Sequence, residues 1–213
     1  MVEAMEEVIS MRPSSAAAID RSSRLATCTA LRCARAAVRT ARWQSGGVRG
    51  AVMGRIATIG VYGFTAGAFL EKLAGGGVGP LLDLRQRRGV RGPEYSWANS
   101  VRLQRALAAE DIGYRHVKEL APTTELRHLQ YREDDRQGVG KRNRVALAPE
   151  YIQRYTREIL DPFDLGALVA ELPSGSATAL FCVERDPEAC HRSLVAERLR
   201  AEHGLPVTDI RPS

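Results

Sequence analysis

From Ile56 onward, short apolar runs alternate with segments whose apolar residues recur three or four positions apart. Ile56-Ala57-Thr58-Ile59-Gly60-Val61-Tyr62 is β-branched and reads as a first strand. Thr65 is positioned to cap a helix through Phe69, Leu70 and Leu73, which Gly75-Gly76-Gly77 ends. Pro80 to Arg85 is a second strand, Asn99 to Ala109 a helix, and Tyr114 to Val117 a shorter strand. Helical patterns follow over Pro149–Leu160 and Phe163–Leu172, divided by Asp161-Pro162. Ala179-Leu180-Phe181-Cys182-Val183 is the strongest buried-strand signal, before a helix from Pro187 to His203 and a last strand at Val207-Thr208-Asp209-Ile210. The alternation predicts one α/β domain over residues 53–213, three layers built on a mostly parallel sheet. Strand order is not contained in such a pattern, and no internal repeat is visible.

The first 52 residues lack this organisation. They are rich in Ala, Arg and Ser without an apolar helical face, and are expected to be a disordered leader or a start-site overcall, with Met53 the expected biological start. Glu3, Glu6 and Glu7 argue against a transit peptide, and no apolar core of a secretory signal is present. The net charge of +6 also changes meaning once located: residues 1–53 hold eight arginines, no lysine and four acids, so four of the six excess charges lie there. The overall basicity therefore says little about the α/β part. The longest uncharged run, Ile56 to Leu70, has fifteen residues. A bilayer span needs about 20, so no membrane partner is expected. Four cysteines without a Cys-x-x-Cys pair exclude a disulfide mini-domain and a standard zinc finger.

In open parallel sheets ligands bind beyond the carboxyl ends of the strands. Three predicted strands finish there with residues poorly suited to a core: Gly60-Val61-Tyr62-Gly63, Asp83-Leu84-Arg85 and Cys182-Val183-Glu184-Arg185. The densest chemistry is Cys182 to Arg192. Asp186-Pro187 reads as N-cap and first helical position, which sets Cys190 and His191 one turn into a helix. A helix start and a neighbouring His or Arg lower a thiol's pKa, so Cys190 is a candidate nucleophile, with His191 and Glu184 as acid–base partners. Adjacent helical residues diverge by about 100°, so Cys190 and His191 need not touch. Two readings of Cys190 remain open, a reactive thiolate or a buried structural thiol. Arg192 has an i,i+4 partner available in Glu188. Cys182, Cys190, His191 and Glu184 are metal-ligand types, but the spacing of the cysteines matches no familiar zinc site, and no metal is expected.

Two basic segments lack acids: Arg85 to Arg91, carrying Arg85, Arg87, Arg88 and Arg91, and Arg136 to Arg144. Beside a crevice such loops clamp phosphates or a nucleic-acid backbone; otherwise they serve as solvated surface. Asp83 and Arg85, two apart on a strand, share a face, so Asp83 is expected to orient the Arg85 guanidinium toward an anion.

Thr58-Ile59-Gly60, Asp83-Leu84-Arg85, Glu119-Leu120-Ala121-Pro122-Thr123 with Glu125-Leu126, and above all Cys182-Val183-Glu184-Arg185-Asp186-Pro187-Glu188-Ala189-Cys190-His191-Arg192 resemble the domain of unknown function family 488. The resemblance runs from about Arg55 to Arg211. Where that family commonly follows Thr-Ile-Gly with a polar His-Ser type pair, this chain has Val61-Tyr62. The resemblance implies a bacterial-type cytoplasmic α/β protein and assigns neither reaction nor cofactor. Together these readings predict an enzyme for a phosphate-bearing, nucleotide or nucleic-acid substrate. Cys190, His191 and Glu184 would carry its chemistry, and Arg85, Asp83, Arg192, Arg87, Arg88 and Arg91 would hold the anion. The rival is a non-catalytic nucleic-acid-binding module with structural cysteines.

Overall fold

A computed structural model describes residues 54–213; the leader, the Met53 start, Cys28 and Cys33 lie outside the described residues. Five strands form one sheet in the order β3-β2-β4-β1-β5, every pairing parallel. The strands are β1 Arg55–Ile59, β2 Val78–Asp83, β3 Gly113–His116, β4 Ala177–Phe181 and β5 Val207–Ile210. The helices are α1 Ala66–Gly75, α2 Ser100–Ala109, α3 Thr124–Arg136, α4 Pro149–Tyr155, α5 Leu165–Ala170 and α6 His191–His203. The α/β class and the parallel sheet follow the expectation from sequence.

The three layers come from the two faces of the strands. Ala57, Ile59, Leu81, Ala179 and Phe181 point to one side, where they pack with Phe69 and Leu73 of α1 and Leu103 and Leu107 of α2. Ile56, Leu82 and Leu180 point to the other, against Leu126 and Leu129 of α3, Tyr151 and Tyr155 of α4, and Val195 and Leu199 of α6. Topology explains the division. The crossovers through α1 and α2 step the chain in one direction across the sheet, and those containing α3–α5 and α6 step it back. Crossovers of one hand running in opposite directions lie on opposite faces. The direction reverses around β4, between β1 and β2, where a ligand crevice opens at the carboxyl ends.

The structure differs from the sequence reading at several element ends. β1 ends at Ile59 rather than Tyr62, β2 at Asp83 rather than Arg85, and β4 at Phe181 rather than Val183, so Cys182 lies just beyond its strand. Helix α3 was not expected: of its four buried residues, Leu126, Leu129, Gln130 and Asp134, two are polar, so no apolar stripe marks it. Pro187–Ala189 form a separate 3-10 turn, and α6 starts only at His191, with Cys190 extended (φ −142°, ψ 141°) as its N-cap residue. Thr65 does cap α1, accepting from the Ala68 N–H at 3.3 Å. Among the described residues no helix is long and apolar enough to cross a membrane.

At the end of β2, Asp83 and Arg85 make a buried two-point ion pair. Arg85 Nε donates to Oδ1 at 2.8 Å and Nη2 to Oδ2 at 2.7 Å, while Nη1 donates to the Ala98 carbonyl at 2.9 Å. The guanidinium lies 4.5 Å from the centroid of the Phe181 ring. Tyr114 donates its hydroxyl to the same carboxylate at 2.7 Å. Burial, and then the Asp83 charge, push its phenol up to about 12. Removing one member of a buried pair strands the other charge. Asp83→Ala is therefore expected to lower unfolding free energy by about 3–5 kcal/mol, read as a fall in the urea midpoint at unchanged slope.

Candidate active site

The site is held in place by the strand end after β4. Cys182 N–H donates to the Ile59 carbonyl at 3.2 Å, and the amides of Val61 and Tyr62 both donate to Val183 O. This brings the Glu184 carbonyl so close to β1 that a Cβ on Gly60 would lie 1.9 Å from its oxygen. Position 60 must therefore be glycine for the two strand ends to meet. Arg192 locks the same loop from below. Its side chain is 0% exposed, and it donates to the carbonyls of Glu184 at 2.7 Å and Arg185 at 2.9 Å. Glu188 does not take Arg192 as its partner; it sits in the 3-10 turn and pairs with Arg211.

Because Cys190 is extended rather than helical, its thiol swings back toward the ring of the next residue. Cys190 Sγ lies 3.8 Å from His191 Nδ1, and Cys182 Sγ lies 3.9 Å from the same nitrogen. His191 Nε2 is 3.1 Å from the Leu84 carbonyl. A carbonyl only accepts, so Nε2 carries the proton and donates, leaving Nδ1 to face both sulfurs. The Tyr155 ring, 5.4 Å away between centroids, supports the imidazole, and its own hydroxyl donates to Leu120 O at 2.6 Å.

The two thiols differ in acidity. Burial alone would raise the Cys190 pKa, but a hydrogen bond from the Cys182 thiol, the charges of His191 and Arg192, and a hydrogen bond to His191 hold it well below the ordinary thiol range. Cys182 moves the opposite way: its bond to the Cys190 sulfur, and then burial, keep its proton on. Cys182, Cys190 and His191 are also the residues among those described whose donor atoms, all within 4.8 Å, lie close enough for a metal ion. They offer three ligands, two thiols and one imidazole nitrogen, and binding a cation would release the thiol protons.

These groups form part of the wall of a crevice of about 750 Å³. Of the sequence candidates, Cys190, His191, Glu184, Arg85, Arg87 and Arg91 line it, together with Cys182. Asp83, Arg88 and Arg192 do not. Asp83 is consumed by Arg85 and Tyr114, Arg88 reaches Tyr114, and Arg192 serves backbone carbonyls. Arg85 meets the crevice, but it is only 2% exposed and donates through each of its nitrogens to Asp83 or Ala98. Glu184 lies 3.8 Å from Arg144, which pairs with Asp134 of α3 through two nitrogens.

The sequence reading missed the wall contributed by α3 and α4: Arg127, His128, Tyr131, Asp134 and Tyr151. Arg127 is notable because its Nε is buried without a hydrogen-bond partner among the described residues. The signal available beforehand was the Glu119 to Leu126 stretch, which lies at the start of this wall. The second basic segment is also reassigned. Arg136 pairs with Glu133, Arg144 with Asp134, and Arg142 lies over the rings of Tyr62 and Tyr95 at 5.1 and 5.3 Å.

The fold and this strand-end crevice define a parallel α/β protein with a Cys-His site at the point where its topology reverses. Residues 65–199 match the family model described as Domain of unknown function DUF488, and the chain belongs to that family. No curated protein and no solved structure matches the chain.

Two glycines separate space from strain. Gly60→Ala is expected to destabilise by at least about 1–3 kcal/mol, because the neighbour it meets is backbone. Gly67→Ala in the first turn of α1, with nothing within 4 Å of its added Cβ, is expected to stabilise by about 0.5 kcal/mol. Urea unfolding of both variants checks the contrast.

Proposed function

We propose that the crevice is the active site of an enzyme acting on a small anionic substrate, phosphate-bearing in the first instance, with Cys190 as nucleophile. The observation that carries this reading is the approach of Cys190 Sγ to His191 Nδ1, on an imidazole whose other nitrogen is already committed to Leu84 O. Transfer of the thiol proton to Nδ1 yields a thiolate–imidazolium pair, the common activated state of nucleophilic cysteines. The thiolate attacks the electrophilic carbon or phosphorus of the substrate. A sulfur bond to that centre forms as the bond to the leaving group breaks, and the imidazolium proton is available to the departing atom. Glu184, paired to Arg144, is the carboxylate at hand for a second proton transfer.

The anion falls to Arg87, Arg91 and Arg127, which line the crevice and make no ion pair among the described residues. Arg85 and Arg192 act as positioning residues, since their donors are committed to Asp83 and to main-chain carbonyls. A cavity of about 750 Å³ suits a ligand of nucleotide size. That favours a small molecule over the long backbone track of a polynucleotide-binding module.

The test is alkylation of Cys190 in the full chain against pH, resolved by peptide. Because the folded state favours the thiolate, the rate is expected to rise and level off at a pH well below the ordinary thiol value of about 8.5, falling only as pH drops through the lowered pKa. Inorganic pyrophosphate is expected to slow the labelling, and Arg87→Ala with Arg127→Ala to weaken that protection by at least about tenfold. A Cys190 that reacts only after unfolding would overturn the proposal. Steeply salt-dependent binding of a single-stranded polynucleotide to such an inert protein would establish the binding module instead.

A further inference from the structure

Nucleophilic chemistry at Cys190 leaves one buried group unused, the thiol of Cys182. It lines the same crevice and shares with Cys190 the single free nitrogen of His191, at 3.9 and 3.8 Å. The two sulfurs lie within 4.8 Å of each other, and only seven residues separate them in the chain. A core thiol needs none of this. We propose that Cys182 is the resolving partner of Cys190, so that a hydroperoxide converts the pair reversibly into a disulfide that silences the site. The inference rests on the reading of Cys190 as a reactive thiolate.

The chemistry balances in two steps. The Cys190 thiolate attacks the terminal oxygen of ROOH; the O–O bond breaks, the Cys190 sulfur is oxidised to the sulfenic acid, and the leaving alkoxide takes a proton to give ROH. Cys182 then attacks the sulfenic sulfur. An S–S bond forms, the S–OH bond breaks, and the hydroxide leaves as water with the proton from Cys182. His191 Nδ1 is placed to hold that proton in passing, since it faces both sulfurs.

Both steps use groups already in place: Cys190 lines the crevice that admits the hydroperoxide, and the Cys182 sulfur lies within 4.8 Å of the atom it must attack. Closing the bond brings the sulfurs to about 2.05 Å. It removes the nucleophile, while Arg87, Arg91 and Arg127 of the same crevice keep their charge.

The experiment treats the full chain with one equivalent of hydrogen peroxide and maps its cysteine peptides. The expected result is a Cys182–Cys190 disulfide, at least a tenfold loss of Cys190 alkylation, and full recovery with dithiothreitol. In Cys182→Ser, and in Cys182→Ala as a second variant, Cys190 is expected to stop at a sulfenic acid trapped by dimedone and then to pass to forms dithiothreitol does not reverse. Several results would overturn the proposal while leaving the thiolate reading intact. They are fast alkylation of Cys190 with irreversible oxidation in the unmodified chain, a disulfide to Cys28 or Cys33 instead, and a stoichiometric metal ion whose removal alone exposes both thiols. A Cys190 inert to alkylation from the outset would instead remove the reading on which it rests.

Discussion

The Arg192 guanidinium, buried without water and fixed by the carbonyls of Glu184 and Arg185, is the contact on which the candidate site depends. One buried and one half-buried main-chain acceptor need donors, and an arginine fork supplies both from one side chain. The same residue is the second of α6, directly after His191, so anchoring it fixes the start of that helix against the end of β4. The loop between them, with Gly60 yielding space above it, then has one path to follow. Cys182 and Glu184 lie on that path, and the extended Cys190 closes it. A buried guanidinium thus shapes the backbone, and it also contributes to the acidity of the thiol beside it.

A second buried arginine repeats the arrangement on the neighbouring strand. Arg85 is held by Asp83 and Ala98, and its own carbonyl accepts from His116 Nε2 at 2.9 Å. Leu84, between them, presents the carbonyl that orients His191. The imidazole therefore takes its direction from the residue following the end of β2 and its position from α6, two elements far apart in sequence. Second-sphere contacts of this kind decide which nitrogen is free, and hence which chemistry the ring can do.

Much of this was legible in the residues. A β-branched run marked β1 and apolar runs marked β2 and β4, while β3 and β5 showed as shorter segments between helices, and the signature from Cys182 to Arg192 identified the densest chemistry. Other features were hidden for physical reasons. Helix α3 buries Gln130 and Asp134, which bond to each other, to the Ala148 amide and to Arg144, so its inner face has the composition of a surface. The proline-led 3-10 turn resembles a helix start in sequence, and only the extended backbone at Cys190 distinguishes them. That one backbone angle turns two side chains that a helix would have diverged into a contact. Nor does composition separate an arginine that awaits a ligand from one satisfied by carbonyls. Arg87 and Arg192 look alike until the acceptors are located.

The strand order has a consequence for how the chain comes together. Among the described residues β1 pairs with β4 and β5 alone, both beyond residue 176, so this strand finds its sheet partners only after more than a hundred further residues are made. β2 and β3 can pair early, but β1 cannot join them without β4 between. Such long-range closure is slow, because loop entropy is lost before the contacts that reward it are formed. The arrival of β4 joins β1 to the β2–β3 pair, and α6 and β5 then complete the second apolar layer and the sheet. Until then Cys190 and Cys182 are not held beside each other and the His191 ring. Reactivity is thereby tied to the fold: a chain interrupted before Ala177 contains neither Cys182 nor Cys190, and a longer one acquires the matched pair only when β4 has paired with β1.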